Sequence, residues 1–157
     1  MTFESKDKPK WVPGMKVIVA GSRDITSYTI VKQVIESALV AFKGRIGEVV
    51  SGGARGVDTL GERYAKEMRV PVKLFMADWN TNGKAAGYIR NGEMADYADA
   101  LIAVWDGVSK GTGHMIDQAR QRHLRVFVAI VSITEPGIGD PGFSIHNSYE
   151  VNDDDVY

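Results

Sequence analysis

The sequence predicts a doubly wound α/β domain: a five-stranded parallel sheet inside a three-layer sandwich, with strand order 3-2-1-4-5. Three observations carry this. Short β-branched runs alternate with stretches of helical periodicity between residues 14 and 133. The runs begin near residues 16, 48, 72, 100 and 125, a spacing that fits one strand, one helix and two short loops, and therefore parallel βαβ units. The runs are almost continuously apolar, as strands are when helices cover both faces.

In chain order, Lys16–Ala20 (KVIVA) reads as the first strand, followed at once by Gly21. Ser27 to Lys43 reads as a helix. Val31, Val34, Ile35, Ala38, Leu39 and Phe42 share one face, Thr26 or Ser27 caps its start, and Gly44 ends it. Glu48–Ser51 is the second strand and runs into Gly52-Gly53. Asp58 to Arg69 is the second helix, closed by Pro71. Val72–Met76 is the third strand, Lys84 to Tyr97 a helix after a loop, Ala100–Trp105 the fourth strand, Thr112 to His123 a helix, and Arg125–Ile133 the fifth strand. Right-handed crossovers divide the helices between the two faces.

The chain has 157 residues, formal net charge −1, 25% charged and 44% hydrophobic residues, which is one domain's worth of globular sequence. No apolar run approaches the roughly 18 residues of a membrane span. The start MTFESKDKPKW has no apolar region of the kind a secretory signal needs. With no cysteines, disulfide scaffolds, thiolate metal sites and cysteine nucleophiles are excluded; the expected location is cytoplasmic. Charge divides the chain into an N-terminal extension (1–13, +1), a body (14–133, +4) and a tail (134–157, −6). The tail, rich in Gly, Pro and Asp, is expected to be irregular. A mildly basic body suits an anionic ligand.

In such a sheet, ligands bind beyond the carboxyl ends of the strands where strand order reverses, here between strands one and four. The loops at those ends are the candidate site. After strand one, Gly21 permits a tight turn, Ser22 offers a hydroxyl and an amide, and Arg23 offers a planar fork for phosphate. After strand two, Ser51-Gly52-Gly53-Ala54-Arg55-Gly56 opens into a helix, with small residues leaving amides uncovered at its positive end. Asp58 suits helix capping or a ribose hydroxyl. The loop is neither GxGxxG nor a Walker motif, so hydride transfer and ATP hydrolysis are not implied. After strand three, Asp78 and Trp79 precede Lys84, Arg90 and Asn91. Trp79 either stacks on a base or faces the core, and the others can meet phosphate or ribose. After strand four, Trp105-Asp106-Gly107 leads through Ser109 to Gly111-Thr112, a second helix start suited to an anion. Two such loops fit a ligand with two separated polar ends, such as a nucleotide or an ADP-ribose-like molecule. His114, His123 and His146 lack metal-ligand spacing, and there is no GxSxG elbow, so no metal site is expected.

The segments VIVAGSRDIT, VVSGGARGVDTLGERYA, ADWNTNGKAAGYIRNGEM and ADALIAVWDGVSKGTGHMI make the chain resemble the SLOG superfamily of Rossmann-like domains, nearest its YspA-like branch, from about Lys16 to Val128. The resemblance implies binding of a nucleotide, nucleotide-sugar or NAD-derived ligand in the Gly-rich cleft, and pairing into a homo-oligomer. The cytokinin-activating LOG phosphoribohydrolases are similar at Arg90, but their GTxxE glutamate is replaced here by Met115. An N-glycosidase needs a carboxylate, so Asp58, Asp106 or Asp117 would have to act with Arg90. The DprA family, which handles single-stranded DNA, is similar at Gly21-Ser22-Arg23, at SGGARGVD and at Arg90-Asn91, and Trp79, Tyr88 and Trp105 are available for stacking. The charge of the body makes nucleic acid a lesser expectation than a small-molecule nucleotide derivative, with the ligand sensed, sequestered or processed.

Overall fold

The computed structural model describes residues 14–134 and 142–152. The extension expected over 1–13 lies outside them, as do the ends of the tail. The chain runs β1 (Met15–Gly21), α1 (Tyr28–Phe42), β2 (Ile46–Ser51), α2 (Val57–Glu67), β3 (Val72–Leu74), α3 (Trp79–Asn82), a 3₁₀ turn (Gly83–Ala85), α4 (Ala86–Tyr97), β4 (Ala100–Trp105), α5 (Lys110–Gln121), β5 (Arg125–Thr134) and β6 (Gly142–Val151). Among the described residues the sheet has six strands in the order β3-β2-β1-β4-β5-β6. The first five are parallel, as predicted. β6 is antiparallel to β5.

Two apolar clusters explain the layers. Val17, Val19, Val49, Ile102 and Phe127 point to one face, where Val31, Val34, Ile35 and Phe42 of α1 and Val57, Tyr64 and Ala65 of α2 cover them. Ile18, Val50, Leu101, Ala103 and Val128 point to the other, beneath Met94 and Ala95 of α4 and Met115, Ile116 and Ala119 of α5. β1, β2, β4 and β5 thus bury both of their alternating rows, which is why those runs read as nearly continuous apolar sequence. Ser27 caps α1 by accepting from the Ile30 amide at 3.3 Å.

Three readings are corrected. The sheet gains a sixth strand from the segment expected to be irregular. Phe143 and Ile145 pack on the α1 side, whereas Val151 packs on the other. The pairing passes from Val131↔Ile145 to Ile130↔Asn147, which leaves His146 as a bulge that resets the alternation. Gly, Pro and Asp on either side, together with that reset, hide a strand whose apolar period is otherwise 2. It caps the outer edge of β5, and Arg125 ties the two strands through a 2.6 Å ion pair with Glu150. The third strand stops at Leu74, although Phe75 still donates to the Ser51 carbonyl at 2.9 Å. The loop expected before the helix from Lys84 holds the short helix α3, and the helix itself begins two residues later, at Ala86, because Lys84 and Ala85 lie in the 3₁₀ turn that follows Gly83, at φ 56.

Candidate functional site

β1 and β4 are neighbours in the sheet, yet α1 and α5 leave their tips on opposite faces, so a crevice opens between them. Gly21 closes the end of β1. A Cβ there would lie 2.0 Å from the Val104 carbonyl oxygen, so only glycine allows the strands this approach. Ser22 follows and is fully buried. Its amide donates to the Val104 carbonyl at 3.1 Å, and its hydroxyl accepts from the Asp106 amide at 3.0 Å. Its carbonyl accepts from the Val57 amide at 3.4 Å. Ser22 therefore pins the β1, β2 and β4 loops together, and its donors are turned to that work.

The β2 loop is held largely by its own side chains. The Ser51 hydroxyl donates to Glu62 at 2.6 Å and accepts from the Gly53 amide at 3.1 Å. Asp58 reaches back from the first turn of α2 and accepts from the Ala54 amide at 3.2 Å. The amides read as uncovered at Gly53 and Ala54 thus already hold oxygens of the chain. Gly56 sits at φ 78, and a Cβ there would meet the Ser22 carbonyl oxygen at 2.6 Å. Gly52 is needed for a different approach: a Cβ would lie 2.7 Å from a terminal nitrogen of Arg90. Arg55 points outward, 76% exposed, with a 3.4 Å ion pair to Asp24.

Asp58 is almost wholly buried, and burial raises its carboxyl to about 6. The Ala54 amide, the charge of Arg90 and the Gly21 amide pull it down, and Glu62 pushes it further up. Arg90 comes from α4 and is half-buried. Its Nη1 donates to the Gly52 carbonyl at 2.6 Å and its Nε to Asn91 Oδ1 at 3.2 Å. Burial lowers its pKa, Asp58 opposes that, and Arg23 adds to it. Asn91 Nδ2 donates to the Gly111 carbonyl at 3.2 Å and contacts His114 Nδ1 at 3.1 Å.

The β4 loop behaves differently from the β2 loop. Asp106 folds back to accept from the Val108 amide at 2.9 Å and the Ser109 amide at 2.8 Å. Burial alone would raise this carboxyl, but those amides and the Ser109 and Ser22 hydroxyls outweigh it and hold it below its ordinary value. The Trp105 ring donates to the Ser109 carbonyl at 3.0 Å and packs beneath Gly113 of α5, away from the cleft. Gly107, at φ 87, makes the turn. Helical bonding in α5 begins at the Gly113 amide, which donates to Ser109 at 3.2 Å. The amides of Lys110, Gly111 and Thr112 face no acceptor among the described residues.

These loops converge on a cleft of about 390 Å³. Gly21, Ser22, Arg23, Ala54, Arg55, Asp58, Trp79, Lys84, Arg90, Asn91, Ser109, Gly111 and Thr112 border it. A second chamber of about 330 Å³ adjoins it through Arg23, Ala54, Arg55, Trp79 and Arg90, and takes in Gly52 and Gly53. Ser51, Gly56, Asp78, Trp105, Asp106 and Gly107 border neither chamber. Asp78 instead caps α3 by accepting from the Thr81 amide at 3.1 Å.

A sequence model of the YAcAr family, described as the YspA, cpYpsA-related SLOG family, matches residues 15–81. The Gene 61 protein of Mycobacterium phage D29 is 36% identical over 118 residues, covering 71% of this chain and 93% of that protein.

The chain belongs to the YspA, cpYpsA-related SLOG family.

No solved structure matches it. SLOG membership carries the coarse association with nucleotide-related binding or processing. The stretch matched to the SLOG model holds the β1 and β2 loops and ends just past Trp79, whereas Arg90, Asn91 and the α5 end of this SLOG cleft lie beyond it. Met115, standing where the LOG glutamate would be, lies on the cleft floor beside Met94. The position is therefore in the site but apolar. Tyr88, set aside as a DNA-stacking residue, borders the cleft, and His114, which the sequence offered only as a non-ligand, stacks behind it. Tyr88 precedes Asn91 by three positions on α4, which puts the two on one helix face, a signal the sequence contained. Among the described residues no three His, Asp or Glu side chains converge as a metal site would require, and no helix is long and apolar enough to cross a membrane.

Proposed function

We propose that this SLOG protein binds a phosphorylated nucleotide or nucleotide derivative in the cleft. The observation that carries the reading is the charge on its walls. Arg23, Arg55, Lys84 and Arg90 border the cleft against Asp24 and Asp58, and the bare amides of Lys110, Gly111 and Thr112 lie at the α5 end. Arg23 and Lys84 have no hydrogen-bond or ion-pair partner among the described residues. Free cations at a helix N-terminus suit phosphate oxygens. Trp79 and Tyr88, each about half exposed, supply flat apolar surface for a base.

The two glycine loops do unequal work in this reading. The β4 loop offers amides, whereas the β2 loop, with Asp58 seated on it, shapes the wall and positions Arg90. Calorimetry with AMP, ADP-ribose and NAD tests it. At least one should bind, and Arg23→Ala should weaken that ligand by about 1.5–3 kcal/mol with the fold intact. Heat from none of the three would overturn the reading.

Asp58 alone favours a second reading, cleavage of the base from its sugar. It is a buried carboxyl beside Arg90 on the cleft wall, which burial raises to about 6. Water would add at the sugar C1′ as the base leaves. Free adenine released from AMP by the wild type and not by Asp58→Asn is the expected result. AMP that binds and stays intact would confine the protein to binding.

A further inference from the structure

Of the described aromatic side chains that border the cleft, Tyr88 is the one stacked on a second ring. Its ring centroid lies 4.3 Å from that of His114 with 24° between the planes. It borders the cleft while 48% exposed, so one side is backed and the rest is available. Trp79 leans over Gly87, where a Cβ would sit 3.5 Å from its ring, but stacks on no described ring.

The backing is fixed by hydrogen-bond logic. Arg90 can only donate, so the atom of Asn91 that it reaches must be the carbonyl oxygen. The Gly111 carbonyl can only accept, so the opposite atom must be the amide nitrogen. The same amide then donates to His114 Nδ1, which must be bare, with the ring proton on Nε2. One buried asparagine therefore orients both the guanidinium of Arg90 and the imidazole behind Tyr88.

We infer that Tyr88, braced by His114, is the subsite for the flat ring of a ligand whose phosphate lies toward Arg90, and that Asn91 and His114 are positioning residues for this pair. This rests on the nucleotide reading and goes beyond it by naming the group that separates nucleotides from plain sugar phosphates. Stacking on an aromatic side chain is sequence-tolerant, so the subsite takes any nucleobase.

Calorimetry with AMP and ribose 5-phosphate, which differ only by the base, tests it. The wild type should prefer AMP by at least about fivefold, the lower end of one base stacking on one ring. Tyr88→Leu and His114→Ala should bring the ratio toward 1 by weakening AMP, and Tyr88→Phe should keep it. A merely structural role would weaken both ligands together. A ratio unchanged in Tyr88→Leu, or one that collapses in Trp79→Leu instead, overturns the subsite while leaving the nucleotide reading standing. If neither compound binds, both fall.

Discussion

Asp58 shows how one residue changes the meaning of a loop. Its carboxylate occupies the Ala54 amide, and the Ser51 hydroxyl the Gly53 amide, that a glycine-rich turn at a helix start would otherwise offer to a ligand. Arg55, which the sequence places at the heart of such a loop, is instead turned outward to Asp24, and exposed pairs of this kind contribute little. Burial raises the Asp58 carboxyl from 3.8 to about 6. The native state therefore holds an extra proton between those values. Its contribution to stability is full below pH 3.8 and is lost as pH rises through 6. A carboxyl displaced that far favours its protonated form on folding by about 3 kcal/mol. Asp58→Asn removes the titration and keeps an acceptor oxygen for Ala54. The stability of wild type relative to this variant should fall by up to about 3 kcal/mol between about pH 4 and pH 7.5. Urea unfolding of both proteins across that range measures it, and a difference that stays constant would show that Asp58 does not titrate with folding.

At the scale of elements, helix ends and edges were the hardest to read. Gly44 and Pro71 were the expected terminators, yet the left-handed positions that end α1, α2 and α5 are Lys43, Arg69 and His123, at φ 54, 57 and 59. Each is followed by an amide that reaches back in the same way, Gly44 to Leu39, Val70 to Ala65 and Leu124 to Ala119. A side chain there is strained, but at Lys43 and Arg69 the cation offsets part of the strain by its place at the negative end of the helix. Lys43→Gly relieves the strain, whereas Lys43→Ala keeps it and loses the charge. The glycine variant should be the more stable of the two by about 1 kcal/mol in urea unfolding. Equal stability would mean that the turn at Lys43 stores no strain. β4, by contrast, was legible to the residue, because a central strand buried on both faces leaves an unbroken apolar run between polar loops. β6 was not, because it is an edge strand whose period is reset at His146. The convergence of the loops followed from topology alone. What each donor does there did not, since Arg90 is fixed by Gly52, 38 residues away, and Asp106 by Ser22, 84 residues away.

The whole molecule concentrates positive charge where the strand tips meet while carrying a net charge of −1. That separation makes salt dependence the test between a small ligand and a polynucleotide. A single strand threaded over the protein would replace counterions at many phosphates, and its affinity would fall with salt at a slope of roughly 0.7 per phosphate contacted. Arg23, Lys84 and Arg90 border the cleft, with Arg55 shared with Asp24, which is few cations for a polynucleotide. A ligand with two phosphates should therefore lose less than about tenfold in affinity between about 50 and 200 mM salt, the change expected for two contacts. A single-stranded oligonucleotide should show no binding of steeper slope. Calorimetry with ADP-ribose and a gel shift with the oligonucleotide, run over the same salt series, make the comparison. An oligonucleotide shift that is tight at low salt and falls with the slope of four or more phosphates would move the function to single-stranded DNA. The open amides of α5 would then be contacts to a backbone rather than the end of a small-molecule site.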